Sequence, residues 1–152
     1  MPEKETLQRA RKDAAEGKSP STQAGEFVRE EIDHVREGKH GVRSAKQAIA
    51  IGLSKARRAG VKLPPPKGSA ATRKKAAQDT RAAKSKRKPS ATRSRATKGA
   101  LRRESRQGAS HSALSRQAKK SAASRGSQSR KRAAQKAART RKAATDFTDV
   151  HG

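Results

Sequence analysis

A long basic segment is the feature that most limits what this chain can fold into. Residues 67–145 contain 26 lysines and arginines but only two acidic residues, Asp79 and Glu104. The same segment has no aromatic residue and only two large apolar side chains, both of them leucine. High charge combined with little apolar surface is typical of chains that do not fold alone. We therefore predict that residues 69–152 form a disordered, low-complexity tail rich in lysine, arginine and alanine.

The charge of this segment indicates a polyanionic partner. The chain of 152 residues has a net charge of +27, and residues 67–145 contribute +24 of it. Self-repulsion at this density opposes compaction unless phosphates or carboxylates neutralise it, so nucleic acid is the expected partner. A membrane partner is not expected, because surface helices that insert need Trp, Phe or Leu on an apolar face.

The sequence shows no pattern of residues typical of catalysis or of metal binding. The chain has no cysteine, and its four histidines, His34, His40, His111 and His151, are scattered without metal-ligand spacing. Glu30 and His34 stand four residues apart, a spacing typical of a solvated helix face. We therefore predict no enzymatic activity, no cofactor and no metal. The N-terminus is charged and no apolar run approaches the ~18 residues of a membrane span, so we expect a cytoplasmic protein.

The first 63 residues carry the signals of three helices. One is predicted over about residues 3–16, where apolar residues recur at helical spacing. The second begins at the cap Ser19, which precedes a proline. The third begins at Ser44 with an S-x-x-Q capping box and ends at Gly60, which supplies a left-handed stop.

The predicted fold class is a small all-α N-terminal module plus a long intrinsically disordered basic tail. The module, a helical hairpin or three helices, covers residues 1–63. A proline-rich linker at residues 64–68 joins it to the tail, because successive prolines cannot continue a helix. The large apolar residues available for the core are Leu7, Phe27, Val28, Ile32, Val35, Val42, Ile49, Ile51, Leu53, Val61 and Leu63.

So small a core favours association with a second copy. Ile51 lies off the apolar stripe of the third helix, and the small residues Ala48 and Gly52 would permit close approach of another helix. We therefore expect a homodimer through the helical module, with its contact at these three residues.

The basic residues of the tail are the predicted contacts to nucleic acid. Contacts to phosphate position a protein without reading base sequence. Stacking on single strands requires aromatic residues, which the tail lacks, so duplex DNA is favoured. The cluster at residues 86–89 lacks the Arg-Gly-Arg core of a minor-groove hook, so we interpret it as a basic cluster only. The predicted binding residues are Lys74, Lys75, Lys86, Arg87, Lys88, Arg102, Arg103, Lys119, Lys120, Arg130, Lys131, Arg132, Arg139, Arg141 and Lys142.

Three short stretches resemble a known family. They are EFVREE from Glu26, GKHG from Gly38 and SAKQAIAIGLSKARRAG from Ser44 to Gly60. Together they resemble a family of small, basic, uncharacterised bacterial proteins that are labelled DNA-binding or plasmid-stabilisation proteins. The resemblance covers about residues 1–66 and implies no catalytic site. The tail separately resembles, in composition, the lysine- and alanine-rich arms of histone-like proteins, which implies nucleoid association.

These observations predict a histone-like, nucleoid-associated protein that binds DNA without sequence specificity. One alternative is a protein-interaction adaptor or plasmid-stabilisation factor, in which the helical module binds a partner and the tail only localises it. Another is a protein associated with RNA or the ribosome, since RNA offers the same phosphates.

Overall fold

The computed structural model describes the backbone of residues 2–85 and 90–149, and their side chains except at positions 140 and 142–149. The described chain contains α-helices and one 3₁₀ turn, and no strand. The helices are α1 Lys4–Ala15, α2 Pro20–Arg36, α3 Ala45–Arg58, α4 Ala70–Ala82, α5 Ala91–Arg102, α6 His111–Ala123 and α7 Ser127–Asp149, and the 3₁₀ turn is Gln107–Ala109. None of the described helices combines the length and apolar character needed to cross a bilayer.

The three helices predicted for the first 63 residues are confirmed, and so are the serine caps predicted for α2 and α3. Ser19 Oγ accepts a hydrogen bond from the backbone of α2, and Ser44 Oγ accepts one from Gln47 N at 3.3 Å. Gln47 Oε1 accepts from Arg43 N at 2.7 Å, so the reciprocal bond of the capping box reaches one residue further back than expected. Gly60 has a φ of +97°, the left-handed conformation predicted for the end of α3.

The prediction of a disordered tail is wrong. Most of the residues from 70 to 149 lie in α4, α5, α6 and α7. Part of this segment is packed, because Ala76 is 8% exposed and Ala109 is fully buried. The small number of large apolar side chains predicted disorder, but alanines can also be buried when they dock against helices formed elsewhere in the chain.

The docking of the basic segment depends on backbone contacts as well as alanines. Val42 N donates to Ser105 O at 2.8 Å, and Arg36 Nε donates to Ala109 O at 3.1 Å. These bonds satisfy polar groups that would otherwise be buried without partners. The N-terminal module therefore serves as the template on which the segment around residues 101–109 is held.

Two compact units make up the chain, residues 1–114 and residues 115–152. The proline-rich stretch predicted as a linker, residues 64–68, lies within the first unit. There Arg57 Nη2 donates to Pro64 O at 3.4 Å, and Arg57 is only 8% exposed. α3 thus ends at Arg58, before the prolines, and the prolines are followed by a helix, α4, that packs back on α3.

Alanine supplies much of the core of the first unit. One cluster of buried residues contains Ala10, Ala24, Phe27 and Ala56, with Leu7, Leu53, Val61 and Leu63 packed against it. The second contains Val35, Val42, Ala48 and Ala109, with Ile32 and Ile51 packed against it. Ile51, which is off the stripe of α3, therefore has a place in the second cluster, to which the basic segment contributes Ala109.

The small residues predicted as a dimer contact are used within the chain. Ala48 is fully buried in the second cluster. A methyl group added to Gly52 would lie 2.6 Å from Val28 Cα, so α2 and α3 approach each other closely at this point. Homodimerisation stays a prediction, but Ala48 and Gly52 are already occupied by contacts inside one chain.

α7, in the second unit, is 23 residues long, and every described side chain on it is exposed. Its stability therefore depends on helix propensity, and alanine, lysine, arginine and glutamine are all favourable. The length exceeds the ~12–15 residues below which an isolated helix is marginal. Repulsion between its like charges does not prevent this helix from forming.

Candidate nucleic-acid interface

α4 carries the first two predicted contacts, Lys74 and Lys75. This helix packs on α3 by the face that contains Ala76 and Asp79, which are 8% and 2% exposed. Lys74 precedes Ala76 by two positions, about 200° around the helix, and is exposed on the other side. Lys75 is also exposed, but its Nζ lies 2.6 Å from Oδ1 of Asp79. Lys74 therefore faces solvent, whereas Lys75 helps to neutralise a buried carboxylate.

Arg102 and Arg103 stand at the end of α5, and both are exposed. The residue before them, Leu101, accepts a hydrogen bond at its carbonyl from Gly41 N at 2.9 Å. Gly41 is buried, and a methyl group there would overlap the backbone of Glu104. This close approach fixes the backbone beside the two arginines and leaves their side chains at the surface.

The second unit carries the other predicted contacts that the structure describes, on α6 and α7. All of those with described side chains are exposed: Lys119, Lys120, Arg130, Lys131, Arg132, Arg139 and Arg141. A helix directs neighbouring side chains about 100° apart, so adjacent cations such as Arg130 and Lys131 face different directions. Arg132 and Arg139, seven positions apart, share a face. A helical arm therefore presents one row of cations at a time to a phosphate backbone, which a disordered arm would not do.

The two acidic residues of the basic segment are both paired with arginines of the N-terminal module. Arg58 Nε lies 2.8 Å from Asp79 Oδ1, and Arg43 Nη2 lies 3.2 Å from Glu104 Oε1. Burial would raise the pKa of Asp79, but hydrogen bonds from Lys75 and Arg58 hold it below its ordinary value. Asp79 is therefore charged at neutral pH and matched by two cations.

Four predicted contacts cannot be placed in this interface. Lys86, Arg87 and Lys88 lie outside the described residues, and so does the side chain of Lys142. The remaining eleven predicted contacts are divided between the two compact units, with Lys74, Lys75, Arg102 and Arg103 in the first.

A second charged cluster, which no sequence pattern indicated, lies in the N-terminal module. Glu30 does not act as the partner of His34. Its Oε1 accepts from Lys55 Nζ at 2.9 Å, and its Oε2 accepts from Glu3 N at 3.0 Å. Burial would raise the pKa of Glu30, but these bonds hold it below its ordinary value.

His34 belongs to a different group. One ligand atom from each of Glu31, His34 and His40 lies within 4.8 Å of the other two. The signal in the sequence was Glu31-x-x-His34, because residues three apart share a helix face. No such spacing indicates His40, because it follows α2 in a loop whose path depends on the packing of α3.

Part of the chain matches a known protein family. Residues 17–67, a third of the chain, are similar to a family described as a family of unknown function, DUF6496. The matched stretch contains α2 and α3 and ends just after the three prolines. No curated protein and no solved structure matches the chain. Functional inference therefore depends on the residues of this chain.

Proposed function

We propose that this protein binds duplex DNA through its phosphates, without strong sequence preference, as a histone-like protein associated with the nucleoid. One observation carries the proposal. Every predicted contact whose side chain is described is exposed, while both acidic residues of the basic segment are paired with arginines. The described surface of residues 70–85 and 90–141 is thereby left strongly cationic, which favours contact with a polyanion.

The pairing of Asp79 and Glu104 gives the N-terminal module an electrostatic role. An unpaired carboxylate next to a phosphate would repel it and reduce the affinity. Arg58 and Arg43 of the N-terminal module prevent this repulsion because they neutralise the two carboxylates. The module thus docks α4 and the segment around residues 101–109, and it also neutralises the two acidic residues of the basic segment.

The shape of α7 supports contact along a DNA backbone. Its 23 residues span about 35 Å at 1.5 Å per residue. One turn of duplex DNA has roughly the same length, about 34–36 Å. Cations such as Arg132 and Arg139, on one face of this helix, can follow phosphates along the duplex, and the absence of aromatic side chains from residues 67–145 disfavours stacking on single strands.

The test is a competition between duplex DNA, structured RNA and single-stranded DNA of equal length for the full chain, at ~150 mM salt. We expect duplex DNA to bind most tightly and shuffled duplex sequences to bind alike. If ten phosphate contacts form together, log affinity should fall against log salt with a slope of roughly −9. Tighter binding of structured RNA would contradict the choice of duplex DNA. An affinity almost independent of salt would contradict phosphate binding altogether.

Charge-neutralising substitutions suit this test better than a truncation after residue 66. Such a truncation would remove Ala76 and Ala109, which are buried in the first compact unit. Loss of binding would then report a damaged fold as readily as lost phosphate contacts.

A further inference from the structure

Glu31, His34 and His40 converge at the end of α2. Glu31 and His34 lie on one face of that helix, and His40 comes from the loop that leads to α3. One ligand atom of each residue lies within 4.8 Å of those of the other two. A shared zinc ion is bound at about 2.0–2.2 Å by each nitrogen or oxygen ligand, so small side-chain movements would bring all three onto one ion.

The carboxylate of Glu31 is the second observation that indicates a ligand. This side chain is 1% exposed, and its Oε1 accepts no hydrogen bond from any residue that the structure describes. Lys55 Nζ lies 2.7 Å from the other oxygen, Oε2. A buried carboxylate oxygen without a donor is costly, because its desolvation is not compensated. Oε1 is therefore in a position that a cation would stabilise.

His40 lies beside this oxygen, and the tautomer of its ring decides what the two atoms can do. His40 Nδ1 lies 3.1 Å from the carbonyl oxygen of Gly41, which can only accept, so Nδ1 carries the proton of that bond. Neutral His40 then has its lone pair on Nε2, which lies 3.2 Å from Glu31 Oε1. Two acceptors would face each other across this gap. A metal ion resolves the conflict, and so does a proton on Nε2, which the experiment below distinguishes.

His34 has the outer partner that metal-binding histidines usually have. Its Nε2 lies 2.8 Å from Glu3 Oε1, and the same oxygen accepts a hydrogen bond from Lys39 Nζ at 3.1 Å. A neutral His34 that donates Nε2–H to Glu3 keeps its lone pair on Nδ1. Donation of the second ring nitrogen to a carboxylate or a backbone carbonyl orients a histidine toward a metal and raises its basicity. Both histidines of the cluster have such a partner.

The local charge also accommodates a dication. Glu30 and Glu31 share Lys55, which leaves this buried group with a net charge of −1. His34, one of the three residues, also lines a polar cleft of about 380 Å³ together with Glu30. A bound dication would offset the excess negative charge.

We propose that Glu31, His34 and His40 form a binding site for a zinc-like transition-metal dication. Two imidazoles and one carboxylate suit zinc and its neighbours, whereas magnesium and calcium prefer sets of oxygen ligands. The ion would fix the loop between α2 and α3, in which Gly41 and Val42 hold the basic segment through Leu101 and Ser105. This inference does not depend on DNA binding.

The test uses the full chain, freed of metal with a chelator and then titrated with Zn²⁺ by isothermal titration calorimetry and thermal unfolding. We expect one saturable ion per chain and a higher melting temperature, with no competition from excess Mg²⁺ or Ca²⁺. His34→Gln and His40→Gln should each abolish this binding. The matched control His111→Gln removes an exposed histidine outside the cluster and should bind Zn²⁺ as the parent does.

A further variant guards against loss of folding. Glu3→Gln leaves all three ligands in place and alters the carboxylate that His34 shares with Lys39, so the affinity for Zn²⁺ should fall by about 10–100-fold. Circular dichroism of each variant in chelator should match that of the parent. Absence of saturable binding by the parent would overturn the site and favour a proton between His40 and Glu31. Binding by His34→Gln and His40→Gln at parental strength would overturn it as well.

Discussion

The Nε atom of Arg58 on α3 lies 2.8 Å from Oδ1 of Asp79 on α4, and the Asp79 side chain is 2% exposed. The ion pair joins the N-terminal module to the first helix of the basic segment. It occupies a position where Ala76 is also buried, so charge and packing act together to dock α4. This ion pair, between residues on either side of the three prolines, thus helps to fix where α4 packs on α3.

Asp79 should make the first compact unit sensitive to acid. Its pKa in the folded protein is lowered, so the stabilisation is complete above the pKa of the unfolded chain, about 3.9, and is lost as the pH falls through the folded pKa. Asp79→Asn should lower the free energy of unfolding at pH 7 by about 1–3 kcal/mol and remove this part of the acid sensitivity. Urea unfolding at pH 7 and pH 3 measures both effects.

Glu104→Gln is the control for this substitution. Its partner Arg43 is 80% exposed, so the pair is worth at most about 1 kcal/mol. Equal losses from Asp79→Asn and Glu104→Gln would show that the burial of Asp79 has no energetic consequence.

Gly52→Ala should destabilise the contact between α2 and α3. The added methyl group would lie 2.6 Å from Val28 Cα, and a backbone atom cannot move aside as a flexible side chain can. We expect a loss of about 1–3 kcal/mol in the free energy of unfolding. Gly25→Ala is a matched control on α2, where a methyl group would meet nothing within 4 Å, and it should stabilise by about 0.5–1 kcal/mol. A stabilised Gly52→Ala variant would contradict the close approach.

Gly41→Ala should release the backbone near Arg102 from the N-terminal module. The added methyl group would overlap the backbone of Glu104, and the bond from Gly41 N to Leu101 O would be lost. We expect trypsin to cleave faster after Arg102, as followed by mass spectrometry, with unchanged cleavage in α7. Gly99→Ala, on α5 with no atom within 4 Å, should leave the cleavage pattern as it is. Equal cleavage in both variants would count against docking through Gly41.

Lys119→Gln combined with Lys120→Gln should weaken DNA binding at every sequence alike. Each lost phosphate contact reduces the salt slope by about 0.9, and adjacent helical cations face different directions, so we expect the slope to become shallower by about 0.9–1.8. Fluorescence anisotropy over a range of salt concentrations measures this change. Lys46→Gln combined with Lys62→Gln removes the same charge from exposed positions outside the basic segment and should leave the slope unchanged. A change shared by both pairs would indicate net charge alone rather than a defined interface.

Some of the fold was predictable because its causes are local. Ser19, Ser44 and Gly60 act on neighbours within a few residues, so their roles as caps and stop were visible in the sequence. The contacts that dock the basic segment are of another kind. Arg36 reaches Ala109 across 73 positions and Arg43 reaches Glu104 across 61, and no short pattern marks such pairs.

Of the two candidate sites, one was visible in the sequence and the other depends on the tertiary structure. The cations of the basic segment were evident from composition, because charge does not depend on how the chain folds. Glu31, His34 and His40 were not recognised, because His40 joins the other two only through the loop between α2 and α3.

The sequence by itself thus determined the charge of the protein, the class of partner this charge favours and the ends of its first three helices, since each arises from residue types or from near neighbours. Only the tertiary structure decided that the basic segment is helical and partly docked and that a buried glutamate meets two histidines. The physical reason is that burial of small side chains and pairing of distant charges depend on which surfaces the folded chain brings together.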